Sequence, residues 1–131
     1  MATIGDIVDG LETAVATTGL SIHDSDREPV PPSFVVLPES GEPRTLGAVK
    51  ETLEFRLRVL ISAAMNRVAR DALDGYLSPT GATSIRAAVT ANKHLGLSGV
   101  NAVYMRWENY GYIEWSGVLY FGADVLVTVE N

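Results

Sequence analysis

From Thr52 to Ser62 large apolar side chains fall at alternate positions: Leu53, Phe55, Leu57, Val59 and Ile61. Glu54, Arg56, Arg58 and, at the end, Leu60 fall between them. In an extended chain successive side chains point to opposite faces, so this stretch reads as a strand with one core face and one polar face of mixed charge. Such a strand needs neighbours on both sides and a covering layer on its apolar face, which limits the chain to folds built around a sheet.

The segments on either side fit that requirement. Ile4, Ile7, Val8, Leu11, Ala14 and Val15 recur at helical spacing. Thr3 is placed to cap that helix, Asp6 to complement its N-terminal dipole and Gly19 to end it. Leu20 to His23 reads as a short extended piece, and Asp24 to Pro32, with its prolines, as a polar loop. Ser33 to Leu37 reads as a strand and Pro38 to Gly47 as a second loop. After the central strand, Val68, Ala72, Leu73, Tyr76 and Leu77 form the stripe of a helix capped by Asn66. Ile85, Ala88 and Val89 form the stripe of another helix, which ends near Lys93 and His94. Val100 to Glu108 and Tyr112 to Phe121 read as strands joined by a turn at Asn109-Tyr110-Gly111, with a bend at Gly122 and a final strand beyond it. Helices grouped in sequence, rather than alternating with strands, predict a single α+β domain: a mostly antiparallel sheet packed on one face by two to three helices.

The chain has 131 residues, which suits one domain with a real core. It contains no cysteine, so disulfides, thiolate metal sites and thiol nucleophiles are excluded. The N-terminal residues lack the basic, apolar pattern of a targeting signal, and no apolar run is long enough to span a bilayer. The net charge of −6 argues against general binding to a phosphate backbone, because an acidic surface gains nothing from counterion release.

Motifs for chemistry are scarce. His23 lies near Asp24, Asp26 and Glu28, but Pro29 stands where a calcium loop needs further oxygen ligands and a glycine turn. A solvated acidic loop is the simpler reading, and His94 reads as a helix-end residue. Neither Ser98-Gly99 nor Ser116-Gly117 sits in a nucleophile elbow, and no phosphate loop is present. No catalytic, cofactor-binding or metal-binding residue is assigned. Seven aromatic residues crowd between Tyr104 and Phe121. Core packing and cross-strand pairing account for them most simply, and a subunit interface accounts for them as well. Stacking on nucleic-acid bases requires interleaved basic residues, and Arg106 is the only one after Val100.

The order and texture of these segments resemble the tail terminator (tail-completion) proteins of long-tailed phages. The resemblance runs through the N-terminal helix, Pro32-Ser33-Phe34-Val35-Val36, the strand Leu53 to Ser62 and Asp74-Gly75-Tyr76-Leu77. It continues in the Gly81 to Val89 helix start and in Tyr120-Phe121-Gly122-Ala123-Asp124-Val125. It implies a structural virion protein, made in the host cytoplasm, that forms a homohexameric ring on the head-proximal end of the tail tube. Such a ring ends polymerisation of the tube protein and docks to the head connector. DNA passes through it without specific binding, and it has no cofactor, no catalytic role and no membrane association. Six acidic copies would form a wall to which DNA does not adhere.

A cyclic ring joins two different patches. The expectation places one at Glu54, Arg56 and Arg58 and the other at Asp24, Asp26 and Glu28, or at Glu39 and Glu42. The two long loops, with Arg27, Val30, Glu39, Glu42 and Arg44, are the expected docking elements. The alternatives are another neck, head-completion or tail-tube structural protein and, from a different class, a small enzyme with an unrecognised site.

Overall fold

The computed structural model describes residues 2–23, 30–43, 51–115 and 117–131. The central strand extends over Glu51–Ser62 (β3) and pairs antiparallel with Ser33–Pro43 (β2) on one side and Val118–Glu130 (β5) on the other. Asn101–Trp115 (β4) pairs antiparallel with β5, and Ser21–Ile22 (β1) pairs parallel with the start of β2. The sheet order is β1-β2-β3-β5-β4. Three helices, Ile4–Ala16 (α1), Arg67–Leu77 (α2) and Ile85–Ala91 (α3), complete an α+β domain.

The alternation in β3 becomes the core as predicted. Leu53, Phe55, Leu57, Val59 and Ile61 are buried, and Phe121, Ala123, Val125, Val127 and Val129 of β5 join them. Ile7, Leu11 and Val15 of α1, Leu73 of α2 and Ile85 and Val89 of α3 close over that face. Thr3 and Asp6 form a reciprocal capping box at the start of α1. Two hydrogen bonds from the Thr3 backbone and side chain hold the exposed Asp6 carboxyl below its ordinary pKa. Gly19 has a φ of +96°, the left-handed conformation expected where this helix ends. Asn66 and Ser84 cap α2 and α3 by accepting from the Ala69 and Ala87 amides.

Gly122 sits opposite an irregularity in β3 between Leu60 and Ser62. A Cβ there would lie 1.8 Å from the Val59 carbonyl oxygen, so only glycine lets the two strands meet.

Three expectations are corrected. β2 does not stop at Leu37. It continues to Pro43 through an irregularity near Pro38, because β3 is long enough to template it. Glu39 and Glu42 are therefore strand residues rather than loop residues. Asn109-Tyr110-Gly111 is not the hairpin turn. It is a bulge inside β4, with Asn109 at a φ of +58°, and the chain reverses after Trp115, which pairs with Val118. Turn-forming residues serve a bulge equally well, and the apolar alternation beyond Gly111 carries the strand onward. Finally, α2 buries Ala69 and Leu73, while Val68 is 80% exposed. Leu73, Tyr76 and Leu77 of the predicted stripe do face the core, but Val68 and Ala72 do not, and Ala69 takes the inward place in the first turn.

Candidate functional site

The helices pack on one face of the sheet, and the second face sets charged groups among buried apolar ones. At its centre lies Asp124, only 1% exposed and held by three donors. Arg58 of β3 donates from Nε to Oδ1 at 3.1 Å and from Nη2 to Oδ2 at 3.4 Å. Arg56, two residues earlier on the same strand, donates from Nη1 to Oδ2 at 2.8 Å. Asn109, placed by the β4 bulge, donates from Nδ2 at 2.9 Å. Burial alone pushes the Asp124 carboxyl up. The bonds from Arg58, Asn109 and Arg56 outweigh it, and the pKa ends below its ordinary value.

Arg56 reaches further. Its Nε donates to Glu39 of β2 at 2.6 Å and its Nη1 to Glu108 of β4 at 2.8 Å. Its hydrogen bonds to Glu39 and Asp124 hold the guanidinium still more firmly protonated than usual. One side chain of the central strand thus ties both outer strands to the middle of the sheet. Above this network Arg58 lies over the Trp115 ring, 5.6 Å from its centroid, and the Trp115 indole donates to His23 Nε2 at 3.3 Å. Leu60, Ile113 and Tyr120 pack there as a small second core.

The structure therefore brings Arg56, Arg58 and Glu39 together within one chain, with Arg56 and Arg58 already matched by internal acids. Glu54 shares their face but takes part in none of these contacts. Glu42 and Val30 are exposed, Val30 at 78%. Asp24, Asp26, Arg27, Glu28 and Arg44 lie outside the described residues. His23 is buried against Trp115 rather than solvated, and His94 follows α3 with Nδ1 2.9 Å from the Val100 carbonyl oxygen. Among the described residues no cluster of His, Asp or Glu is arranged to hold a metal, and no helix is long and apolar enough to cross a membrane.

Asp124, Glu108 and Asn109 were not predicted as members of a site. The available signal was Asp124 itself, a lone acid in the apolar run of β5, whose alternation puts it on the same face as Arg56 and Arg58.

No family model matches the chain, and no curated protein matches it.

The second feature is the outer strand, β4. Val103, Met105, Trp107, Tyr110 and Tyr112 are each 38–54% exposed. Trp107 and Tyr110 lie 5.9 Å apart, and Tyr110 and Tyr112 both meet the edge or face of buried Phe121. Residues of α2 and α3, and one just before α2, reach the same strand. The Tyr110 hydroxyl donates to Asp74 at 2.9 Å, the Met65 amide donates to the Tyr112 hydroxyl at 3.2 Å, and Arg86 lies over Tyr104. Burial, then the bond to Asp74, push the Tyr110 phenol up. The seven aromatics thus divide: Tyr120 and Phe121 are core, Tyr104 and Trp115 are half-buried, and Trp107, Tyr110 and Tyr112 stand at the surface.

Proposed function

We propose that the chain is a tail terminator of a long-tailed phage, a structural protein that closes the head-proximal end of the tail tube as a ring and presents a face to the head connector. The observation that carries this reading is the inequality of the two outer strands. A closed ring needs two unlike patches on each copy, one for each neighbour. β4 exposes a run of large apolar side chains of the kind that anchors subunit interfaces. β2, at the other side of the sheet, exposes Pro38, Glu39, Ser40 and Glu42. The α+β fold, with helices on one sheet face only, agrees with the architecture expected from the sequence.

The test is negative-stain microscopy of the protein mixed with tail tubes encoded by the same genome. The expected result is a ring on one end of each tube and no further growth. Tubes that stay uncapped and elongate sink the reading. Open-ended polymers of the protein alone would point to a tube subunit instead.

A further inference from the structure

β3 ends at Ser62, opposite Phe121 of β5. Beyond that point β4 and β5 pair with each other alone, Ile113 with Tyr120, Glu114 with Leu119 and Trp115 with Val118, and form a two-stranded arm. In a flat sheet the arm would carry Trp115 far from β1. Four strand spacings, about 19 Å, would separate it from His23 across the sheet, and the run from Asp124 to Val118 would add about 20 Å along it. Instead the Trp115 indole donates to His23 Nε2 at 3.3 Å, and the Arg58 guanidinium lies 5.6 Å from the ring centroid. The arm therefore folds back over the second face of the sheet, near the irregularity at Gly122, and reaches the residue that follows β1. Leu60 of β3 and Ile113 and Tyr120 of the arm are buried against one another beneath it.

We propose that His23 and Trp115 form a pH-sensitive latch that holds this arm against the sheet. The hydrogen bond needs Nε2 as an acceptor, which only the neutral imidazole with its proton on Nδ1 provides. Protonation sets an N–H at Nε2 against the indole N–H, and two donors repel. The contact is with the positive edge of the indole rather than its π face, so the new charge gains no cation–π attraction. Arg58 of β3 already brings a positive charge to the ring, and Asp124 of β5 binds Arg58. Among the other elements near His23, β1 and the start of β2 carry no charged residue, α1 beside β1 carries the half-buried Glu12, and Glu114 next to Trp115 is exposed. Asp24, the next residue in the chain, lies outside the described residues. Asp124 titrates below its ordinary 3.8 and stays ionised where imidazoles titrate. The latch is closed at neutral and alkaline pH and opens as pH falls, uncovering Leu60 and Tyr120, which are buried while it is closed.

The latch is a property of the single chain and does not depend on the ring reading. NMR of the full chain follows the nuclear Overhauser contact between the Trp115 ring and Arg58 from about pH 8 to about pH 5. The Trp107→Phe variant assigns the two indoles, and circular dichroism verifies folding at each pH. In wild type the contact should weaken roughly fivefold over this range, as the loss of one hydrogen bond implies. His23→Gln supplies a carboxamide oxygen that accepts from the indole and takes no proton, so the contact should persist at both ends of the range. His23→Phe keeps a ring but offers no acceptor, so the contact should be weak throughout and indifferent to pH. A wild-type contact as strong at pH 5 as at pH 8 overturns the latch. A loss at low pH that survives in either variant overturns it too, because the titrating group is then not His23.

Discussion

Beyond the two residues it shares with β1, β2 ends the sheet on one side, as β4 does on the other, yet the two strands treat that position differently. The Pro32 and Phe34 carbonyls of this segment point outward to accept from Ser21 and His23. With a period of two, Val36 and Pro38 present their main chains to the same side, and Pro38 has no N–H to offer. Its neighbours Glu39, Ser40 and Glu42 are polar and exposed. These are devices by which natural sheets stop edge pairing. β4 has no proline in Asn101–Trp115 and carries exposed Val, Met, Trp and Tyr instead. The contrast teaches that the two edges differ in kind: one carries polar residues and a proline, and the other large exposed apolar side chains, the edge that the proposed ring would cover.

Both edges depend on the same centre, and removing it gives the largest expected effect. Asp124→Ala leaves Arg56 and Arg58 without their shared acid and frees Asn109 from the β4 bulge. Loss of one partner from a buried pair costs about 3–5 kcal/mol. Because both guanidiniums keep some contact with water, the expected cost is about 2–3 kcal/mol, or a fall in melting temperature of roughly 10 °C. The pH dependence has a definite sign. The folded pKa of Asp124 lies below its ordinary 3.8, so its contribution is complete above that value and is lost as pH falls through the folded pKa. Denaturant melts of wild type and variant should differ by a constant amount from pH 5 to 8 and converge below about pH 4. A gap that persists undiminished at pH 2 would mean that packing, not charge, holds Asp124.

The contrast between the edges was legible in the sequence only where local rules decide it. The alternation from Leu53 to Ile61 identified the core face, because a strand's faces follow from its period alone. The caps at Thr3 and Asn66 were readable because the side chain bonds an amide a few residues away. The ends of β2 and β4 were not readable. Pro38 and Asn109-Tyr110-Gly111 are breakers by local preference, and long-range pairing to β3 and β5 overrides that preference with bulges. The ionic centre was half visible. Arg56 and Arg58 were singled out, but their partners Glu39, Glu108 and Asp124 lie 17 to 68 residues away. A pattern of residue types cannot say that such groups meet. For the same reason the arginines were expected to face a neighbouring copy, whereas the fold matches them internally with Glu39, Glu108 and Asp124.

The edges are separated more sharply by Trp107→Ala. Trp107 is 48% exposed and touches Tyr110 within its own chain, so the monomer should melt within a few degrees of wild type. If β4 is the covered edge, capping should weaken by roughly 30-fold, the equivalent of about 2 kcal/mol at an interface anchor. The matching change on β2, Glu42→Ala, removes one exposed charge and should weaken capping by no more than about fivefold. Equal losses at the two positions would mean that the aromatic strand is not the anchor.

The smallest expected effects come from the two arms by which Arg56 reaches the edges. The Glu39 contact is the shorter, at 2.6 Å against 2.8 Å for Glu108. Distance alone ranks β2 as the more tightly held edge. Exposure argues the other way: the Glu39 side chain is 39% exposed and that of Glu108 33%, and water screens the more open pair. Glu108 also faces Arg106 and is set by the bulge that delivers Asn109 to Asp124. Glu39→Gln should therefore cost under about 0.5 kcal/mol, and Glu108→Gln up to about 1 kcal/mol. The double variant should cost less than the two together, because both acids draw on one guanidinium. Urea melts of the four proteins measure this directly. Strict additivity would show that Arg56 holds the two edges independently, and a larger cost at Glu39 would make the polar edge, not the aromatic one, the strand that depends on the ionic centre.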